Sequence, residues 1–211
     1  MARKTSRQAI EKRILKSLQC FAEGDMGDAL FNIAPVIDVV AKQRHKDKPR
    51  VGDRIKAFIF DEQHLIYYLS TQGKIPLKNG ARIVYIADPG TNKPLGDHGG
   101  ELSDFIYYNI RCAQSHDAEI DHDTIDLGRN FGIGKFALDG DGGDIKPGAF
   151  IISNATILAL ILSVICAHEN RRIKLSGKIS LFNKVSIEIN KIVGNKTYLL
   201  TQLSELFDGG L

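Results

Sequence analysis

A chain of 211 residues, 43% of them hydrophobic and 25% charged, is long enough to bury a sizeable core, and its composition excludes the disordered and fibrous classes. Its net charge of +3 is too small to argue for a nucleic-acid partner by itself, so a polyanion site would have to come from local clustering. The three scattered cysteines, Cys20, Cys112 and Cys166, exclude a disulfide framework and a zinc finger, and read as free buried thiols in a reducing compartment.

The opening segment, Met1 to Lys16, is basic and has no apolar h-region, so it does not read as a secretory signal. Ile10, Ile14, Leu15, Leu18 and Phe21 follow helical spacing, and Gly24 ends that helix. "DALFNIAPVIDVVAKQ" starts a second helix with Asp28 as its cap, and Pro35 either kinks it or begins a new one. The run "KQRHKDKPR", Lys42 to Arg50, is a second basic cluster. Both clusters read either as solvated helix ends or as phosphate-holding patches. A third helix covers Val51 to Leu69, with Ile55, Phe58, Ile59, Leu65 and Ile66 on its apolar stripe.

From Ser70 to Gly100 the chain turns rich in Gly, Pro and Asn around one strand-like island, "ARIVYIA". A helix follows over about Glu101 to Ser115. The region Asp117 to Gly148 is turn-rich, with short strand candidates near "TIDL" and "GKFAL". "ISNATILALILSVICAHEN" is the most apolar helix, with Asn154 as N-cap, and belongs at the centre of a bundle. Its apolar run is too short to span a bilayer. "KISLFNKVSIEIN" reads as a hairpin, and a last helix runs from about Lys196 to Phe207. The expected architecture is mainly α, a single domain over 1–211. It has a bundle of about five helices over about 6–170, small β-hairpin insertions, and a β/helix appendage over about 171–211.

Several short motifs fail on chemistry. "GIGKFA" lacks the glycine and the Ser or Thr of a phosphate loop. "DGDGGD" lacks the glycine and the bidentate Glu of a calcium loop. "HEN" at His168 has Arg172 where a zincin needs its second His. The loop His116 to Asp126 gathers His116, Asp117, His122, Asp123 and Asp126, a composition that suits a divalent metal or a solvated acidic loop.

The stretch "FIYYNIRCAQSHDAE" carries the sharpest chemistry. On a helical wheel Leu102, Phe105, Ile106, Ile110 and Ala113 form the apolar face, and Arg111 lies opposite. His116 then stands about 140° round from Arg111. The two side chains diverge on one ideal helix, and meet only if the helix yields or a second copy closes the gap. Together they suit RNA cleavage: His116 can take the proton of a ribose 2′-hydroxyl, and Arg111 can stabilise the charge of a pentacoordinate phosphorus. Read structurally instead, Arg111 is solvated or pairs with Asp104, and His116 serves the helix C-terminus.

"IYYNIRCAQSH", on a late helix of an apolar bundle, resembles the HEPN superfamily signature of Arg, four to six residues, then His. "GDMGDALFNIAPVIDVVA" and the apolar helix ending in "HEN" are similar in context, so the likeness covers roughly residues 10 to 170. The resemblance implies an all-helical homodimer and a metal-independent endoribonuclease of a toxin–antitoxin, phage-defence or RNA-processing system. It implies Arg111 and His116 as the catalytic pair; Asn109, Tyr108 and Ser115, beside them on the same helix, are candidates for positioning RNA or orienting His116. The implied partners are RNA, a second copy and an antitoxin protein, in the cytoplasm, with no cofactor and no metal. Two residues depart from the pattern: Cys112 follows the Arg where active members often have a polar residue, and Ala118 replaces the Tyr of one toxin subgroup. Two further readings stand beside this one. One is a non-catalytic HEPN-like dimerisation or ligand-binding module. The other is a metal-dependent phosphohydrolase using the His116–Asp126 loop.

Overall fold

The computed structural model describes residues 2–70, 103, 107, 125–129, 150–181 and 185–207. Three long helices come first: α1 (Ala2–Glu23), α2 (Met26–Arg44) and α3 (Val51–Ser70). On α1 the residues Ile10, Ile14, Ser17 and Cys20 are buried at three- and four-residue spacing. Leu15, placed on that stripe by its apolarity, is instead 43% exposed, because it stands one position off the buried face. The turn at Gly24 has φ 84, a left-handed value that glycine adopts without strain.

Asp25, not Asp28, caps α2: its carboxylate accepts the backbone N–H of Asp28 at 3.0 Å. The helix passes through Pro35 as one element. Its last turn carries Lys42 and Arg44, where cations suit the negative end of the helix dipole. On α3 the stripe Ile55, Phe58, Ile59, Leu65 and Ile66 is buried as its spacing predicts.

Strand β1 (Ile125–Arg129) pairs in parallel with β2 (Phe150–Ser153), from Ile125 opposite Phe150 to Arg129 opposite Ser153, with an irregularity between Leu127 and Arg129. A parallel pair needs a crossover, so this is not a hairpin insertion. The residues Phe150–Ser153 join this sheet, and the apolar helix α4 begins at Asn154 and ends at Cys166. Every residue from Thr156 to Cys166 is buried, which makes α4 the axis of the core. Its buried hydroxyl at Thr156 donates to Ser70 Oγ at 3.0 Å, which donates in turn to the Ile66 carbonyl at 2.6 Å. That chain satisfies both groups inside the core.

"HEN" is not the end of α4. It forms a separate 3-10 turn, His168–Asn170, after an extended Ala167. The buried Asn170 side chain donates to the Val164 carbonyl at 2.7 Å and so caps α4. The appendage then forms the expected antiparallel hairpin, β3 (Lys178–Leu181) with β4 (Val185–Glu188). A short helix α5 (Ile189–Ile192), absent from the sequence reading, leads into α6 (Lys196–Phe207). Leu181, Ile187, Ile189, Ile192, Leu199 and Leu203 join the same apolar cluster as α1 to α4. The fold is therefore mainly helical with small β elements. Among the described residues, no helix is long and apolar enough to cross a membrane.

Candidate functional site

Arg111, His116, Asn109, Tyr108 and Ser115 lie outside the described residues, as do the strand candidate "ARIVYIA", "GIGKFA", "GKFAL" and the calcium-like run. Of the expected helix over 101–115, Ser103 is α-helical and Tyr107 π-helical. Tyr107 packs on the first turn of α3. A Cβ on Gly52 would come within 2.7 Å of its ring, and Lys56 Nζ lies 5.5 Å from the ring centroid. Its aromatic face is therefore in use for packing and a cation–π contact.

The described chemistry gathers around Arg44, in the last turn of α2. Glu62 sits on the apolar stripe of α3 and is 3% exposed. A carboxylate buried there demands cations. Arg44 donates to one of its oxygens at 2.7 Å and Lys196, from α6, to the other at 2.6 Å. Arg44 also grips Glu169 with both remaining nitrogens, at 3.0 Å each, in a two-point fork. Its guanidinium lies 4.7 Å from the Phe58 ring centroid. Asp61 adds a weaker contact at 3.5 Å. His45 Nε2 comes within 3.1 Å of Asp61 but makes no hydrogen bond, so that pair rests on proximity alone.

The titrations follow from this geometry. Burial opposes the charge of Arg44, but its hydrogen bonds to Glu169 and Glu62 outweigh burial and raise its pKa. Burial pushes the Glu169 carboxyl up, and the Arg44 hydrogen bonds more than offset it, so its pKa ends below 4.5. Burial, helped by Glu62, pushes the Cys166 thiol well above its ordinary value, which leaves it an inert core residue.

Beside this clamp is a cavity of about 630 Å³, and three segments distant in sequence line it. Arg7 comes from α1, Lys46 from just past α2, and His168, Arg171 and Arg172 from the turn after α4. The two basic clusters of the sequence thus converge on one space, with a third group of cations that sequence reasoning missed. Among the described residues Glu169 is the only carboxylate lining it, and Arg44 already engages both its oxygens. Arg7, Lys46, Arg171 and Arg172 form no ion pair among the described residues, and the first, third and fourth of them are exposed, as is Lys46.

The cationic turn is held firmly. Ile173 and Leu175 are buried, and the Lys174 N–H donates to Glu11 of α1 at 2.7 Å. Gly194, at φ 64, lets the α5–α6 turn approach so closely that a Cβ there would lie 2.5 Å from Arg171 Cα. Its own N–H donates to the Ile165 carbonyl at 2.9 Å. A cation cluster fixed in advance loses little freedom when an anion arrives.

Among the described residues no group of three or more His, Cys, Asp or Glu could hold a metal ion. No curated protein and no solved structure matches the chain. A family model described as Rv1289 matches residues 9–204, which include every described lining residue of the cleft except Arg7, and the chain belongs to the Rv1289 family.

Proposed function

We propose that this protein binds RNA on the basic cleft and cuts it without a metal through Arg111 and His116. The observation that carries the binding half is the convergence of Arg7, Lys46, Arg171 and Arg172 on one cavity whose single carboxylate among the described residues is already occupied. Such a site neutralises phosphate charge and releases condensed counterions. The cutting half rests on the residues of "IRCAQSH" and their HEPN-like spacing. His116 takes the 2′-hydroxyl proton, and the 2′-oxygen attacks the adjacent phosphorus. Arg111 stabilises the added charge, and the 5′-oxygen leaves with a proton. The products are a 2′,3′-cyclic phosphate and a 5′-hydroxyl. The working form is a cytoplasmic homodimer that brings the two side chains together across its axis.

The test is end-labelled RNA incubated with the protein, with and without EDTA, beside Arg111→Ala and His116→Ala. EDTA-resistant cleavage lost in both variants supports the proposal. Binding without cleavage in any condition leaves a non-catalytic RNA-binding module of the same fold. Cleavage stopped by EDTA points to the His116–Asp126 loop and a metal. Absence of any RNA binding contradicts the proposal as a whole.

A further inference from the structure

We propose that the cleft recognises a terminal phosphate of the RNA rather than the phosphodiesters along its length. The inference rests on reading the cleft as an RNA site, and three observations carry it.

The first is shape. Proteins that track a single strand string their cations along a groove and interleave aromatic side chains on which bases stack. Among the described residues no Phe, Tyr or Trp lines the cavity, and cations from three segments border its roughly 630 Å³. That volume is on the scale of a small-ligand pocket, not of an extended channel. Its described lining offers mostly charged and amide groups beside Ile10 and Ile173, with no aromatic platform on which a base would stack.

The second is charge. A phosphodiester carries one negative charge. A phosphomonoester carries close to two near neutral pH, with three free oxygens. Arg7, Lys46, Arg171 and Arg172 supply permanent cations from different walls, and His168 adds an imidazole at the rim. Arg44 quenches the opposing charge of Glu169. A cluster of this strength is matched better by the doubly charged end of a strand than by any one internal linkage.

The third is rigidity. Arg171 and Arg172 sit on a turn fixed by the Asn170 cap, the Glu169–Arg44 fork and the close approach of Gly194. Donors anchored on a fixed backbone and set around one space favour a monoester over a diester, because the monoester has three free oxygens to accept from several sides.

The probe is a short 2′-O-methyl RNA, which lacks the attacking hydroxyl and stays intact. It is prepared with a 5′-phosphate, with a 3′-phosphate, or with hydroxyls at both ends, and binding is followed by fluorescence anisotropy. One phosphorylated form is expected to bind at least about tenfold more tightly than the unphosphorylated one, a difference of about 1.4 kcal/mol. The favoured form identifies the end. Inorganic pyrophosphate is expected to compete. Arg171→Ala with Arg172→Ala removes the preference, and Arg7→Ala with Lys46→Ala, on the other walls, reduces it independently. Equal affinity for all three RNAs, lowered alike by both variant pairs, overturns end recognition and leaves RNA binding standing. No binding of any RNA overturns both.

Discussion

The two ends of α4 obey different rules. Its body is buried from Thr156 to Cys166 and apolar there except for Thr156 and Ser163, in one cluster with Ile33, Ile59 and Ile66. Just beyond its C-terminus, within one turn, stand the Glu169 fork, the Asn170 cap and the cations Arg171 and Arg172. The first region is held by area and volume, which any apolar side chain of suitable shape can supply. The second is held by charges whose partners are few and specific. Lys196, Glu62, Arg44 and Glu169 form one chain of contacts from α6 through α3 and α2 to the cleft wall. Core stability and the proposed ligand binding thus rest on different groups, and substitutions can pull them apart.

The largest effect belongs to the apolar end. Ile161→Ala removes a fully buried side chain and is expected to cost about 3–4 kcal/mol in urea unfolding, while RNA affinity of the folded fraction stays unchanged. A lost affinity at full folding would erase the distinction between the two ends.

Arg44→Met is next. It strips Glu169 of its partner and leaves Glu62 with Lys196 alone. With Arg44 partly exposed, about 2–3 kcal/mol is expected by the same unfolding measurement. Adding Glu169→Gln should recover part of it, because the abandoned charge is then gone. A cost that is identical with and without Glu169→Gln would mean the fork carries no coupling.

Gly194→Ala is expected to cost about 1–2 kcal/mol from the left-handed backbone alone, and more from the contact with Arg171. It should also weaken RNA binding, because the turn it displaces carries the cleft cations. Normal affinity in a destabilised protein would place Arg171 outside the site.

Glu169→Gln sharpens the comparison most finely. Simple Coulomb attraction says that removing a carboxylate from a cationic cleft tightens anion binding. Here the carboxylate orders the cationic turn through Arg44, so binding should weaken by about two- to fivefold, or about 0.5–1 kcal/mol. The same variant has a pH signature. The Glu169 pKa is depressed below 4.5 in the fold, so its stabilisation is full above the unfolded value. It is lost as pH falls from about 4.5 through the folded value. Acid unfolding curves should show that part of the slope in the wild type and lack it in Glu169→Gln.

Much of the fold was written in periodicity. The stripes of α1 and α3, the apolar α4, the β3–β4 hairpin and α6 all follow from spacing and composition. The failures have local causes. Asp25 outcompeted Asp28 as a cap because it directly follows the Gly24 turn and reaches the orphan N–H of Asp28. Pro35 was tolerated inside α2. The parallel β1–β2 pair depends on a long-range crossover that no short window reveals. The clamp left one legible signal: Glu62 occupies a core position between Phe58 and Leu65, and a carboxylate there requires a cation. Which cation could not be read, because Arg44, Glu169 and Lys196 are remote in the chain. The cleft was half legible, as two basic clusters whose meeting only the tertiary structure establishes. "HEN", rejected as a metal motif, proved to hold the fork and the cap.

The central claim is that the cations of this cleft neutralise RNA phosphates, and the salt dependence of binding tests it directly. For a single strand, each neutralised phosphate contributes about −0.7 to the slope of log affinity against log salt. Lys46→Ala, Arg171→Ala and Arg172→Ala combined should therefore make the slope shallower by about 0.7 to 1.4, the share of one terminal phosphate of one to two charges, with helical content unchanged by circular dichroism. A slope equal to that of the wild type would contradict the account, because it would mean that RNA is held elsewhere.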